Sequence, residues 1–256
     1  IFADEFDTGT APNPDIWNIE LGYGEDDSGW GNNEWQLYTD SPDNVRVEGG
    51  NLVINALCDG PCGVRDDSVT SARINTKDKF EFRYGKIEAR IKPPVGPAAW
   101  PAFWALGANF PEVEWPRSGE IDFMEMHKAN SDERETHFTI HYCNEERVQP
   151  SDECFNAGGH VFITRKLRFE ESLGDDYQIF EAEWDETKIV GKINGITYYQ
   201  KAIDPANMEE FQRDFFLILN VAMGGTLGSN GQPPTGAEVF PQTMLVDWVR
   251  VYRRVD

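Results

Sequence analysis

Basic residues are scarce in this chain of 256: 23 lysines and arginines stand against 45 aspartates and glutamates, a net charge of −22. So acidic a surface repels a phosphate backbone, which argues against nucleic acid as a partner. It disfavours anionic lipid and sulfated polysaccharide for the same reason, and suits a neutral ligand in surroundings where salt screens self-repulsion. Long apolar runs are missing too. No segment reaches the roughly 18 consecutive apolar residues of a membrane span, so no membrane partner is expected. Internal repeats and low-complexity linkers are lacking, and residues 1–256 read as one domain and a monomer. No signal peptide is visible, and Ile1 reads as the start of a processed or trimmed chain. Cysteines number only four, in two close pairs, Cys58/Cys62 and Cys143/Cys154, each within a Gly/Pro/Asn/Asp-rich stretch. A disulfide in each pair fits an oxidising compartment and a secreted protein; four free thiols are the alternative. Zinc is disfavoured, because the spacings are irregular and the neighbours acidic.

Aromatic residues, by contrast, are abundant: eight Trp, eight Tyr and sixteen Phe. They serve either a sugar cleft, where rings stack on pyranose faces, or plain core packing. The segment Lys86–Lys92 alternates charged and apolar residues, the period of a half-buried strand. Similar signals occur at Asn51–Leu57, Val69–Asn75, Thr136–Tyr142, Tyr177–Trp184, Phe215–Val221 and Met244–Tyr252. Lys188–Asn194 and Gly195–Gln200 predict a hairpin turning on Asn194-Gly195. Turn-formers punctuate the rest, among them Pro93-Pro94, Gly158-Gly159, Gly224-Gly225 and Pro233-Pro234. One short helix is expected, Asp204–Arg213. Many strands and few helices predict an all-β fold, an antiparallel β-sandwich of the jelly-roll kind.

The chemistry concentrates in Ser118–His127. Glu120, Asp122 and Glu125 sit there among Phe123, Met124 and Met126, which an exposed strand seldom carries; burying three carboxylates is costly unless they are used. In a regular strand Glu120 and Asp122 share a face and Glu125 points the other way. A β-bulge between Asp122 and Glu125 returns Glu125 to the shared face. Two carboxyls about 5–5.5 Å apart then become feasible, the spacing of a retaining glycosidase. One acid attacks as the carboxylate, the other first donates and later accepts a proton, and Asp122 keeps their proton affinities apart.

Residues 120–125, Glu-Ile-Asp-Phe-Met-Glu, resemble the bulged active-site signature of glycoside hydrolase family 16. That resemblance implies Glu120 as nucleophile, Glu125 as acid/base and Asp122 as the assisting acid. The bulged form is shared by laminarinases, agarases and κ-carrageenases. Other segments are similar to the laminarinase branch: Gly29–Gln36 to its early cleft loop, Ser71–Thr76 to its next strand, Trp100–Gly107 to the segment lining the donor side, and Asp247–Tyr252 to its closing run. The likeness extends from Phe6 to Tyr252. It implies a cleft on a concave sheet, with Asn33 and Arg73 on sugar hydroxyls, Trp100, Trp104 and Trp115 stacked on rings, and His141 near the acid/base; Trp35 and Trp184 are read as packing residues. It also implies no cofactor for catalysis, and a structural calcium on the convex side held by Glu5, the Gly50 carbonyl and Asp247. Cys143–Gly159 departs from the common pattern as a loop insertion that could border the acceptor side. The function implied is a secreted, endo-acting, retaining β-1,3-glucanase acting on laminarin-type glucan, with mixed-linkage β-1,3-1,4-glucan left open. The alternatives are a hydrolase of another β-linked polysaccharide such as agarose, or a non-catalytic β-glucan-binding protein. The second is disfavoured because both glutamates are present.

Overall fold

The structure is a computed structural model and describes residues 1–127, 132–149, 151–234 and 240–253. Within them the first strands are β1 Phe2–Asp4, β2 Asn18–Glu20, β3 Leu37–Tyr38, β4 Val45–Glu48, β5 Asn51–Cys58, β6 Val69–Ser71, β7 Arg73–Asn75, β8 Glu81–Phe82 and β9 Gly85–Lys92. There follow β10 Ala99–Gly107, β11 Glu120–Glu125, β12 Glu135–Cys143, β13 His160–Arg168, β14 Gln178–Trp184, β15 Lys188–Ile193, β16 Ile196–Ala202, β17 Phe215–Met223 and β18 Gln242–Tyr252. One sheet runs β16-β15-β14-β9-β18-β5-β6-β3, with β1 beside β18 and β4 beside β5. The other runs β13-β12-β11-β10-β17-β7-β2, with β8 beside β17. The long ladders are antiparallel, and among the described residues only the short β3–β6 pairing is parallel. This is the antiparallel sandwich that the strand-rich pattern predicts.

Period-two patterning builds the core between the sheets. Ile87, Ala89 and Ile91 of β9 are fully buried, as are Phe123 of β11, Phe138 and Ile140 of β12 and Leu217 and Leu219 of β17, in one continuous cluster. Each large side chain buried this way contributes about 1.5–3 kcal/mol. At Gly191 of β15 a Cβ would lie 2.3 Å from the buried Phe138 ring, so the sheets meet there with no room for a side chain. The hairpin between β15 and β16 turns on Asn194 (φ 50°) and Gly195 (φ 77°), both left-handed, as a two-residue turn of that kind requires.

Two expectations are corrected. Val69–Asn75 is not one strand: it breaks at the fully buried Ala72, so β6 pairs with β5 in one sheet and β7 with β17 in the other. Asp204–Arg213 is not an α-helix but a turn followed by a 3-10 turn, Glu209–Gln212. The Asp204 side chain accepts from the Ala206 N–H (3.1 Å) and from Asn207 Nδ2 (3.0 Å), a local closure that competes with helical bonding. The α-helical turn lies instead at Gly225–Ser229 (α1), beside Gly224-Gly225. The loop between β12 and β13 carries a 3-10 turn, Glu145–Arg147, and both cysteine pairs are disulfides, Cys58–Cys62 and Cys143–Cys154.

Candidate active site

The site is built on β11, between β10 and β12. Asp122 faces Thr139 and Glu125 faces His137, so three steps along β11 match two along β12. Against β10, Trp104 pairs with Asp122 and Phe103 with Met124, which skips Phe123. This is the bulge anticipated between Asp122 and Glu125. Phe123 and Met124 both turn into the core at 0% exposure, and Glu120, Asp122 and Glu125 emerge on the open face. Gly119 precedes the first acid at φ 80°, where a Cβ would lie 2.7 Å from the Cβ of Glu210 and 2.9 Å from the Phe215 ring. Only glycine fits that approach. Glu210 in turn accepts the Cys143 N–H (2.9 Å), and burial pushes it up to about 7.

Each glutamate accepts from an indole. Trp115 Nε1 donates to Glu120 Oε2 (3.0 Å) and Trp100 Nε1 to Glu125 Oε1 (2.7 Å). Trp100 is 7% exposed, and its indole edge is tied to Glu125. His141 Nε2 lies 3.6 Å from Glu120 Oε1 and 3.4 Å from Asp122 Oδ2. It therefore stands beside the expected nucleophile, while His137 occupies the position opposite Glu125. Burial, then the charge of Asp122, pushes Glu120 up to about 8; His141 and the Trp115 N–H pull it down. Burial and the charge of Glu125 push Asp122 well above the usual carboxylate range, while a hydrogen bond accepted from Glu120 pulls it down. The side chain of Asp122 is 5% exposed against 15% for Glu120, so burial disfavours charge on both members of the pair.

On the β10 side, Arg73 is 9% exposed and lies between two indoles, with its guanidinium 4.4 Å from the Trp30 ring and 4.8 Å from the Trp104 ring. It is ion-paired with Glu20. Trp104 Nε1 donates to Asn220 Oδ1 (2.8 Å), Asn220 Nδ2 to Tyr38 Oη (3.1 Å), and Tyr38 Oη to Glu34 Oε2 (3.3 Å). Gln36 also donates to Glu34 (2.6 Å). Buried Glu34 is raised by desolvation, and this satisfied network fixes Trp104. Asn33 is exposed on the neighbouring loop at φ 57°. Glu20, Trp30, Glu34, Tyr38 and Asn220 escaped the sequence reading as site residues. Trp30 and Glu34 lie inside the cleft-loop segment, but nothing marked the other three. Trp184 is in the core as expected, and Trp35 lies against Gly224.

Beyond Glu125, His137 bonds to His127 through Nδ1 and to Glu135 Oε1 through Nε2 (3.1 Å), and burial pushes His127 down. Among the described residues one trio has its ligand atoms close enough for a metal, Glu120, Asp122 and His141, all within 4.8 Å. A cation there would occupy the attacking oxygen. The expected calcium ligands lie elsewhere, in and beside other strands. Pairing of β18 with β5 stops at Val246–Leu52, which leaves Asp247 beside the Gly49-Gly50 turn, and β1 leaves β18 at Asp4–Val249, just before Glu5. Oxygen donors suit a hard cation. Each carboxylate already has a guanidinium, however: Arg250 on both oxygens of Glu5 (2.8 Å each) and Arg90 on Asp247 (2.6 Å). All four side chains are about a third exposed, so these pairs are weak competitors.

A β-sandwich with two carboxylates on one bulged strand, a third acid between them and flanking indoles is a glycoside hydrolase scaffold. Residues 59–166 match the family described as XgeA-like, catalytic GH16 domain. The chain is 34% identical over 269 residues to a beta-glucanase of Rhodothermus marinus, covering 100% of this chain and 85% of that one. It is also 34% identical to glucan endo-1,3-beta-glucosidase A1 of Niallia circulans and to the clotting factor G alpha subunit of Tachypleus tridentatus, but spans only 37% and 34% of their lengths. The laminarinase catalytic domain of Thermotoga maritima superposes with TM-score 0.82 at 37% identity, covering 100% of this chain and 98% of that one. A non-specific endo-beta-1,3(4)-glucanase from family GH16 gives 0.83 at 30% identity, covering 99% and 94%. The chain belongs to glycoside hydrolase family 16.

Proposed function

We propose that the chain is the catalytic domain of a secreted, endo-acting, retaining β-1,3-glucanase, with Glu120 as nucleophile and Glu125 as acid/base. The observation that carries this is the bulge, which sets both glutamates on one face with an indole N–H on each. A Glu120 oxygen attacks the anomeric carbon while Glu125 gives its proton to the departing glycosidic oxygen, leaving a glycosyl ester on Glu120. Glu125 then takes a proton from water, whose oxygen displaces Glu120 and restores the free acid. Attack needs Glu120 as the carboxylate, so the proton that burial keeps on the pair passes from Glu120 to Asp122, which stays neutral beside the nucleophile. The arginine–tryptophan stack at Arg73, Trp30 and Trp104 forms the donor side, with Asn33 at its rim. Catalysis so written needs no cofactor. Relatives named for β-1,3-glucan support laminarin-type glucan as substrate, and the GH16 structure described as non-specific supports some cutting of mixed-linkage glucan. Two disulfides support an oxidising compartment. A structural calcium held by Glu5, the Gly50 carbonyl and Asp247 belongs to the same reading, and would add to stability.

Reducing-sugar release from laminarin, mixed-linkage β-glucan and agarose under one condition tests the proposal. Fast release from laminarin, slower from mixed-linkage glucan and none from agarose is expected. Release from agarose alone would move the substrate assignment and leave the carboxylate roles standing.

A further inference from the structure

Two exposed aromatic side chains near the site take no part in the chemistry above, Phe162 at 59% exposure and Phe155 at 55%. Strand register places the first of them. Glu120 faces His141 and His141 faces Phe162, so the three form one row across β11, β12 and the edge strand β13. Phe162 thus lies two strand spacings, about 10 Å, from the strand of the nucleophile. His160, two residues earlier on the same face, lies parallel to His141 (7°, centroids 5.2 Å) and shares a hydrogen bond with it (2.9 Å). Phe155 follows Cys154 in the β12–β13 loop, and its ring is 5.4 Å from both Trp115 and His160. Trp115 is 4.6 Å from His160, which is 5.8 Å from Phe162. One aromatic strip therefore begins at the indole bonded to Glu120 and ends at the sheet edge, on the side of β11 opposite Arg73 and Trp104.

The loop that presents Phe155 is tied down. The Cys143–Cys154 disulfide closes it, and the Cys154 N–H donates to Glu114 Oε1 (2.8 Å). Arg117 binds Glu114 (2.6 Å), Glu145 (2.8 Å) and the Asp152 carbonyl (2.6 Å), joining the loop to the turn that carries Trp115. A platform fixed before its ligand arrives loses little entropy on binding.

We infer that this strip, with Phe155 and Phe162 at its outer end, is an acceptor-side platform for neutral pyranose units of the glucan beyond the scissile bond. The inference rests on the glucanase proposal. Rings present their apolar C–H faces to aromatic surfaces. Burial and His141 push His160 down to about 4, so that ring adds no charge to the strip in the working range. Its continuity with the row of Glu120 selects a glucan chain as occupant over a separate protein partner.

Phe155→Ala, Phe162→Ala and the double variant test it, with circular dichroism melts to verify folding. The double variant is expected to raise KM for laminarin about tenfold, as loss of two ring contacts implies. Its kcat/KM on an aryl laminaribioside, which has no sugar on the acceptor side, should stay within about twofold of wild type. Phe162→Tyr, which keeps the ring, should restore most of the laminarin KM. A folded double variant with unchanged KM on laminarin, or with equal losses on both substrates, overturns the platform while the glucanase reading survives. A wild-type chain that does not cut laminarin overturns both.

Discussion

Replacing Glu120 by Gln should stabilise the protein by an amount that grows with pH. Burial and Asp122 push Glu120 from an ordinary 4.5 up to about 8 in the fold, whereas in the unfolded chain it keeps its ordinary value. Below about pH 4.5 both states hold the proton, and the stability associated with the protonated group is fully present. As pH rises toward 8 the unfolded chain has already released its proton, and the folded one must either keep it or bear a buried charge, so stability falls. Above that range the loss is complete, on the order of 3–5 kcal/mol. Gln keeps the shape and can still accept the Trp115 N–H, but does not ionise. In a domain of this size 1 kcal/mol moves Tm by roughly 2–4 °C, so Glu120→Gln should melt close to wild type at pH 5 and roughly 6–20 °C above it at pH 9. Differential scanning calorimetry of both proteins across that range measures the gap. A gap that stays constant or shrinks with rising pH would refute the electrostatic reading of the cluster.

Trp100→Phe removes the N–H bonded to Glu125 and little volume. It should lower kcat on laminarin about tenfold or more with KM nearly unchanged, because the lost bond acts on the acid/base and not on a sugar ring. Gly191→Ala places a methyl group against the buried Phe138 ring and should cost about 1–3 kcal/mol in urea unfolding, with activity per folded molecule preserved. Chelation is expected to lower Tm if calcium sits among Glu5, Gly50 and Asp247, by the equivalent of about 3 kcal/mol for an ion present at a hundred times its Kd. An unchanged melt together with no metal by elemental analysis would end that proposal, and would leave Arg250 and Arg90 as the partners of the two carboxylates.

The sandwich was legible because its signals are local. The alternation of Lys86–Lys92, the Asn194-Gly195 turn and the three acids among apolar residues each sit within ten residues of chain. Even the bulge followed from counting faces between Asp122 and Glu125. What the sequence hid is cross-strand. That His141 stands beside Glu120 rather than Glu125, and that Phe162 extends the same row, depends on the register of β12 against β11 and of β13 against β12. Nor does the sequence show that Trp100 bonds the carboxylate of Glu125 on the neighbouring strand. Ala72 carries no mark that the chain changes sheets there, since a small buried residue suits both. Asn220 gave no signal either, because its partners Trp104 and Tyr38 lie on other strands, far away in sequence.

The central claim is that Glu120 and Glu125 cut by double displacement. The most direct measurement is proton NMR of the anomeric region during the first minutes of laminarin hydrolysis, before mutarotation scrambles the products. The account predicts that new reducing ends appear first as the β anomer, with the α signal growing in later. First appearance of the α anomer would mean a single inverting displacement, and would contradict the assignment of Glu120 as nucleophile.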